Sequence, residues 1–513
     1  MYDNGLKIVK NNKFLLIVIA FFLIRLPFLT KLPIFNDEAI YLDWGFRETH
    51  VAGNLYYSLY DGKTPLLMWI FGIFETFITN PLFAGRLVSV LFGFLTLFGI
   101  YKITKGIWSK NTAIFASLIY VFTPIFVFFD RQALMESAVG ATGIWSLYFL
   151  LKIQNDKSYK NSIFLGLVLG AGYMIKSSSI IFLFAALAIF VFNFIKEKEK
   201  SLIVKKTVLL IFSFLLVNFF LLINPQFWQT LSSNDRFVFT APEIIKFPIL
   251  AWIKNIYINL NISFFFLTPF VFITAIFGIY LSVFKYKKQA KITALFLLIT
   301  LFLETFLTKS TSQRYLVSFL VPLVIFASIG IFYIYNKIQN NISKYIFISL
   351  VLAPSILLSL LNTINPQQYI ESFSRITPYS QTEYISGQTS GYGVNEAIDY
   401  IKEKSAGKKT IAGIALNTGN PESGIQVYFQ DDPMIKTAYA DSRLFGESLI
   451  GIDCLSAGDY QFYFVSRTDE QAGLNKYFYK TAAFKNPNSS YYVGVYKIKE
   501  NCTGKTFTMS FEK

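Results

Sequence analysis

The sequence predicts an α-helical polytopic membrane protein with about 11 transmembrane helices and a C-terminal extracytoplasmic α/β domain. Of its 513 residues, 54% are apolar and 15% are charged, whereas soluble globular proteins contain about 25% charged residues. Apolar stretches recur along residues 1–361, and the composition changes after residue 361. The strong hydrophobicity also excludes a disordered chain.

The apolar segments approach the roughly 20 residues that cross a hydrocarbon core about 30 Å thick. They lie near residues 13–30, 84–101, 111–129, 137–151, 161–175, 179–195, 207–223, 256–284, 292–308, 316–335 and 344–361. The first segment has no small-residue cleavage site and further segments follow it, so we expect a membrane span rather than a signal peptide.

Lysines in the connecting loops predict the orientation, because cytoplasmic loops are enriched in Lys and Arg. Alternate short loops contain 20 lysines, whereas the opposite loops are longer and contain fewer basic residues. The lysine-rich loops are those around residues 7–13, 102–110, 152–160, 196–206, 285–291 and 337–344. The N-terminus is therefore predicted to be cytoplasmic, and residues 362–513 lie outside after an odd number of crossings.

The net charge of +16 would suggest a nucleic-acid partner in a soluble protein, but its distribution argues against one. Residues 1–361 contain 32 basic and 15 acidic residues, whereas residues 362–513 contain 15 and 16. The positive excess lies entirely in the apolar part, so we expect the lipid bilayer as a partner and no nucleic acid.

Residues 362–513 alternate helix-like and strand-like runs between turns rich in Gly, Ser, Thr and Asn, which predicts a small α/β domain. An oxidising exterior would permit a disulfide between Cys454 and Cys502, but the sequence leaves their pairing open. The only histidine, His50, argues against a Ser-His-Asp triad or a His-rich zinc site.

Two predicted outside loops, residues 31–83 and 224–255, are longer than a turn requires, and long ordered loops are usually functional. The first loop contains the adjacent carboxylates Asp37 and Glu38 directly after a span. A carboxylate there could act as the general base for a membrane-borne substrate. In the alternative interpretation, Asn36 and Asp37 cap a helix and Glu38 lies in its first turn.

Further polar residues lie at the ends of other predicted spans on the same side of the membrane. Each has a simpler structural explanation, since arginines can extend to lipid headgroups and Lys176 can cap its helix. Together they form an arrangement suited to holding an anionic phosphate near a general base. They are Asp130, Arg131, Glu136, Lys176, Gln313, Arg314 and Tyr315.

The order of these motifs resembles the GT-C glycosyltransferases of glycosyltransferase family 39, the dolichyl-phosphate-mannose protein mannosyltransferase-like group that includes bacterial aminoarabinose transferases. The matching segments are Asp37-Glu38 with Tyr41, Lys63 to Trp69, Ala84 to Leu87, Asp130 to Glu136, Gly172 to Lys176, Arg314-Tyr315, and the turn Tyr384 to Gly393. The chain departs from the family pattern at Thr64, Glu136 and Ser177, where the family has Pro, Asp and Gly.

The resemblance implies transfer of a sugar from a polyprenyl phosphate to an acceptor hydroxyl on the outer face, with inversion at the anomeric carbon. Asp37 would be the base. Lys63, Arg131, Lys176 and Arg314 would hold the phosphate leaving group, and Tyr41 and Tyr315 would belong to the substrate site. Glu38 and Glu136 would bind sugar or acceptor hydroxyls, or a divalent cation; the sequence leaves the use of a metal open.

Two other functions compete with this interpretation. A lipid or sugar transporter would suit many spans, but the sequence has no detectable internal repeat, and Arg25, Arg86 and Glu304 are few for a proton relay. A non-catalytic membrane anchor whose outer domain binds cell-wall polymer would not require Asp37.

Overall fold

The computed structural model describes residues 13–154, 156–196, 199–285, 288–376, 378–416, 420–441, 449–450, 461–467, 478–498 and 506–507. The described chain is mostly helical, with a small sheet near its C-terminus. Cys454 and Cys502 lie outside the described residues, so their pairing stays open.

The chain divides into two compact units, and neither is continuous in sequence. The first unit comprises Met1–Pro27, Arg47–Ile70 and Arg86–Ile364. The second comprises Phe28–Phe46, Phe71–Gly85 and Asn365–Lys513. Two parts of the first long loop thus belong to the same unit as the C-terminal region. The division into domains 1–361 and 362–513 stays a prediction.

Membrane-spanning helices dominate the first unit. Five described helices are long and apolar enough to cross a bilayer, and bent helix pairs bring the number to seven. The five are Pro81–Ile107, Ser177–Lys196, Ile249–Phe266, Lys288–Leu307 and Asn341–Ile364. The polytopic helical class is therefore confirmed, whereas the number of 11 spans stays a prediction.

Two predicted spans are bent rather than straight. Lys110–Phe122 and Pro124–Asp130 meet at 63°, and Gln313–Leu320 and Leu323–Lys337 meet at 56°. Pro124 and Pro322 lie at these two bends. Proline lacks a backbone N–H and its ring collides with the preceding turn, which accounts for both bends.

The apolar segment predicted at 256–284 is also interrupted. It is divided between Ile249–Phe266 and Pro269–Phe284. Thr268 has a φ of 72°, and its Oγ1 lies 3.1 Å from the Ser355 hydroxyl. This left-handed residue followed by proline ends one helix and begins the next, a break that apolar periodicity cannot reveal.

Shorter helices complete the helical part of the chain. Those near the membrane helices are Lys13–Arg25, Glu136–Ile153, Lys160–Ile175, Lys200–Val217, Phe219–Leu222, Pro225–Thr230 and Ala241–Ile245. Asn36–His50 and Leu66–Phe77 lie in the first long loop, together with the 3₁₀ turn Tyr57–Asp61, and Leu231–Arg236 forms a second 3₁₀ turn. Pro366–Ser372, Pro378–Gln381, Val394–Ser405 and Glu422–Phe429 belong to the second unit.

A buried ion pair and its hydrogen-bond partners connect four helices of the first unit. The Arg25 Nε lies 2.8 Å from the Asp130 Oδ2, and both side chains are almost fully buried. The Ser137 hydroxyl donates to the other Asp130 oxygen at 2.7 Å, and the Tyr120 hydroxyl lies 3.1 Å from Oδ2. Because both charges have several hydrogen-bond partners, the helices carrying them are fixed in register.

The second unit contains a mixed sheet. Its strands, with a separate short pair, are β1 Thr410–Leu416, β2 Ile435–Asp441, β3 Leu449–Ile450, β4 Gln461–Ser466, β5 Phe478–Lys485, β6 Tyr492–Ile498 and β7 Thr506–Phe507. Five of them form one sheet in the order β2-β1-β4-β6-β5. Strand β1 pairs in parallel with β2 and β4, and β6 pairs antiparallel with β4 and β5. Strands β3 and β7 form the separate antiparallel pair.

The helix Val394–Ser405 presents one apolar face to the core, as its spacing predicts. Val394, Ala397, Ile398 and Ile401 are all buried. Strand β1, with the sequence TIAGIAL, is one of the strand-like runs expected in residues 362–513. The C-terminal α/β architecture is therefore confirmed.

Candidate functional site

Two basic side chains meet at the carboxylate of Glu136, and the three residues come from separate helices of the first unit. Glu136 begins the helix Glu136–Ile153, Lys176 directly follows Lys160–Ile175, and Arg314 lies in the first turn of Gln313–Leu320. The Lys176 Nζ lies 2.9 Å and the Arg314 Nε 3.2 Å from the same Glu136 oxygen, Oε1. The structure thus brings together three of the predicted site residues.

Two cations share one oxygen of a buried carboxylate in this group. The Glu136 side chain is 1% exposed, whereas those of Lys176 and Arg314 are 20% and 12% exposed. The other carboxylate oxygen, Oε2, has no hydrogen-bond partner among the described residues. Two partly accessible cations that a buried carboxylate holds in place are suited to receive an anion.

Aromatic rings connect this group to Lys63. The Lys176 Nζ lies 5.4 Å from the centre of the Tyr315 ring, and the Tyr315 and Phe237 rings are 6.2 Å apart. On the other side of Phe237, the Lys63 Nζ lies 4.6 Å from the ring centre. Cation–π and ring contacts of this length are attractive. Lys63 and Tyr315 therefore belong to the same cluster as Lys176.

The two long loops meet at Asp61. The Arg236 Nη2 lies 2.6 Å from the Asp61 Oδ1, and the Lys63 Nζ lies 3.8 Å from Oδ2. Gly62 has a φ of 70°, and a Cβ there would lie 2.1 Å from the Ser233 Oγ. Only glycine permits this approach, so the first loop is held closely against the second.

Sequence reasoning did not identify Asp61, Arg236 or Phe237. They lie in loops without apolar periodicity, and the only signal for them is the length of those loops. Phe237 is fixed by backbone bonds, since its carbonyl accepts from the Lys309 N–H at 2.9 Å. Its placement between Lys63 and Tyr315 depends on these contacts, which are distant in sequence.

Arg131 is engaged elsewhere in the first unit. Its Nη1 donates to the carbonyls of Ile24, Arg25 and Pro27 at 3.3, 2.6 and 2.9 Å. These carbonyls lie at the end of the helix Lys13–Arg25, where backbone acceptors lack partners within the helix. The observed contacts of Arg131 are those of a helix cap, and its part in phosphate binding stays a prediction.

The acidic pair lies in the second unit, at the start of the helix Asn36–His50. The Glu38 Oε2 accepts a hydrogen bond from the Phe35 N–H at 2.9 Å, and the Glu38 side chain is fully buried. A capping-box glutamate makes the same backward hydrogen bond to the backbone before its helix. The alternative interpretation of the sequence places Glu38 in this first turn, and the structure agrees with that placement. Asp37 is partly exposed, and Tyr41 is buried on the same helix.

Among the described residues, no group of three or more His, Cys, Asp or Glu side chains is arranged to hold a metal ion. Glu136 is surrounded by cations rather than by further oxygen ligands.

Comparison with known proteins places the fold. Residues 62–223 match the family model described as "Dolichyl-phosphate-mannose-protein mannosyltransferase". ArnT from Cupriavidus metallidurans bound to undecaprenyl phosphate is 12% identical, with a TM-score of 0.60 over 96% of this chain and 98% of ArnT. The oligosaccharyltransferase AglB from Archaeoglobus fulgidus, in complex with an inhibitory peptide and a dolichol-phosphate, is 12% identical, with a TM-score of 0.53 over 89% of this chain and 69% of AglB.

None of the curated protein sequences matches the chain. The similarity at the level of the fold extends over nearly the whole molecule, and the matched family segment includes Lys63, Arg131, Glu136 and Lys176. The resemblance inferred from the motifs is confirmed for the fold.

Proposed function

We propose that this chain, which has the GT-C fold, is a membrane glycosyltransferase that moves a sugar from a polyprenyl phosphate to an acceptor hydroxyl, with inversion. The observation that carries the proposal is the convergence of Lys176 and Arg314 on Glu136, with Lys63 in the same cluster. Two proteins of similar fold hold undecaprenyl phosphate and dolichol-phosphate, which supports a lipid-linked donor.

Asp37 is the general base in this proposal. The acceptor hydroxyl gives its proton to the Asp37 carboxylate while its oxygen forms a bond to the anomeric carbon of the sugar. The bond from that carbon to the phosphate oxygen breaks, and the oxygen keeps the bonding electron pair. A single displacement of this kind inverts the anomeric carbon.

Lys63, Lys176 and Arg314 bind the phosphate. A polyprenyl phosphodiester carries one negative charge and the departing monoester carries up to two, so the charge grows as the bond breaks. Cations fixed in advance favour the transition state over the ground state for that reason. Glu136 holds two of these cations in place, and we assign it also to a sugar or acceptor hydroxyl.

The remaining assignments follow the sequence. We assign Arg131 to the phosphate, Glu38 to sugar or acceptor hydroxyls, and Tyr41 and Tyr315 to the substrate site. Residues 1–361 are the membrane domain and residues 362–513 the extracytoplasmic domain, with a cytoplasmic N-terminus and catalysis on the outer face. The lysine distribution between alternate loops supports this orientation.

A transporter is less well supported, because the charged residues inside the helices have fixed partners. Arg25 is paired with Asp130. Glu304 accepts from the Asn259 amide and the Thr311 hydroxyl, both at 2.8 Å. These are closed local networks, whereas a proton relay needs connected groups that exchange partners.

Purified protein incubated with a panel of radiolabelled polyprenyl-phosphate sugars tests the proposal. We expect release of free polyprenyl phosphate that depends on an acceptor and is lost in Lys176→Met. Lys254→Met, at an exposed lysine, is the matched control. Translocation of the lipid across vesicles without any release would contradict the transferase and favour a flippase.

A further inference from the structure

The short segment that leads into the helix bearing Asp37 is held by residues of the C-terminal region within the second unit. The Asn420 Nδ2 donates to the Ile34 carbonyl at 2.7 Å, and the Asn36 N–H donates to the Thr389 carbonyl at 3.0 Å. Ile34 and Asn420 are both fully buried. These two bonds, one from a side chain and one from the backbone, fix the chain on either side of Phe35.

The approach of the C-terminal region to this segment is close enough to require glycine. A Cβ at Gly391 would lie 2.0 Å from the Ile34 oxygen and 2.7 Å from its nitrogen. No side chain of any kind fits there, since real Cβ contacts are not shorter than about 3 Å. The turn Thr389–Gly391 therefore packs directly on the backbone before Asp37.

Arg467 joins the two parts of the C-terminal region that make these contacts. It directly follows strand β4 and is 1% exposed. Its Nη2 donates to the Ser390 carbonyl at 2.6 Å, and its Nε donates to the Asn420 carbonyl. Its Nη1 donates to the Asn486 side-chain oxygen at 2.9 Å.

The guanidinium has no carboxylate partner within the described residues, although it is buried. Its named acceptors are two carbonyls and one amide oxygen. The Asn486 Nδ2 in turn donates to the Gly387 carbonyl at 3.0 Å, which ties the turn at a second point. Burying a charged guanidinium costs free energy, and here its hydrogen bonds go to backbone carbonyls and an amide oxygen. These bonds fix the geometry of the turn against Ile34.

We infer that Asn420 and Arg467 are positioning residues for the reaction, which hold the start of the Asp37 helix in the orientation that catalysis needs. The inference rests on the proposed role of Asp37. A displacement of about 1 Å at a reacting group lowers the rate by up to about 10²-fold. The C-terminal domain therefore contributes to catalysis through Ile34 and Asn36, without supplying a group that touches the substrate.

Single-turnover kinetics of Asn420→Ala and Arg467→Lys test the inference. We expect the rate of sugar transfer to fall by about 10-fold or more, with the donor dissociation constant changed by less than about twofold. Arg467→Lys keeps the charge but loses the planar fork of donors. Arg375→Lys, at an exposed arginine of the same unit, should have no effect.

A double-variant cycle separates positioning from general damage. In the Asp37→Asn background, Asn420→Ala should cause no further loss of rate, because the group that it positions no longer acts as a base. Asn365→Ala removes a helix cap in the same unit and should leave the rate unchanged despite some loss of stability. A multiplicative loss in the Asp37→Asn background would overturn the inference.

Hydrogen exchange provides a test that does not depend on activity. Peptides covering residues 34–40 should exchange faster in Asn420→Ala and Arg467→Lys than in the unsubstituted protein, and not in Arg375→Lys. Unchanged exchange there would overturn the positioning role even if the chain is a transferase. Conversely, faster exchange in a chain that releases no polyprenyl phosphate would contradict the proposed function and leave the positioning contacts confirmed.

Discussion

Lys176 and Arg314 donate to a single oxygen of Glu136, at 2.9 and 3.2 Å, although they lie far apart in the sequence. The two cations would repel each other without this carboxylate. Glu136 therefore holds both side chains at one point in the first unit.

Glu136→Gln should destabilise the protein, because it removes the buried carboxylate that pairs with Lys176 and Arg314. Loss of one partner of a buried ion pair costs roughly 3 kcal/mol or more of unfolding free energy. Thermal unfolding in detergent measures the effect. Glu136→Asp, the residue typical of the resembling family, should recover part of the stability, and an unaltered Tm in Glu136→Gln would contradict the structural role.

Asp37→Asn should lower turnover by about 10²-fold or more, the scale of general base catalysis. Asparagine keeps the size of the side chain but cannot take a proton at neutral pH. Donor binding should change little. Asp235→Asn, at an exposed aspartate, is the control, and full turnover in a folded Asp37→Asn protein would return the residue to helix capping.

Lys63→Ala and Arg314→Ala should each slow the chemical step by about 10²-fold, as for loss of a donor to a developing oxyanion. The maximal rate should fall more than donor affinity, because the phosphate gains charge in the transition state. Single-turnover kinetics separate the two. If both variants raise only the donor dissociation constant, the residues anchor a headgroup and take no part in the chemistry.

The stability of the protein should decrease as pH rises from about 5 to 8, in part because of Glu48. Burial raises the pKa of this carboxyl from its usual 4.5 to about 8, despite the hydrogen bond from the Ser58 N–H. The folded chain therefore binds a proton that the unfolded chain has released across this interval, and that advantage is lost as pH passes the folded pKa.

Glu48→Gln should flatten this pH dependence, since glutamine stays neutral throughout. Unfolding temperatures measured in detergent between pH 5 and 8 provide the comparison. Glu396→Gln, at an exposed glutamate, should leave the slope unchanged. A slope that persists in Glu48→Gln would assign it to other groups.

Cysteine labelling tests the orientation. In a background without Cys454 and Cys502, Ser232→Cys should react with a membrane-impermeant thiol reagent on intact cells, and Ser201→Cys should not. Both positions are exposed, so accessibility does not confound the comparison. The reverse pattern would move the catalytic face to the cytoplasm.

Membrane helices and the C-terminal α/β region were predictable because apolar spans and alternating strands leave local patterns. The prediction of one uninterrupted segment over residues 256–284 is wrong. Thr268 and Pro269 are only two residues, and they change the mean hydropathy of this segment too little to reveal the break. The convergence of Lys63, Lys176 and Arg314 was expected only from their placement at helix ends on one predicted face.

Partners that depend on long-range packing were not predictable. Arg131 directly follows Asp130 in the sequence, yet Asp130 binds Arg25 and Arg131 binds backbone carbonyls. Which acceptor a buried guanidinium finds is determined by helices distant in sequence. The same is true of Phe237, whose neighbours Lys63 and Tyr315 come from the other long loop and from a helix distant in sequence.

The contacts of Asp61 with Arg236 and of Gly62 with Ser233 fix the two long loops against each other. Adding or deleting any one residue between Ser233 and Phe237 would move the Phe237 ring away from Lys63. The lengths of the two segments should therefore vary together among homologues. A loop grafted from another protein of this fold should be accommodated only when its counterpart is transferred with it.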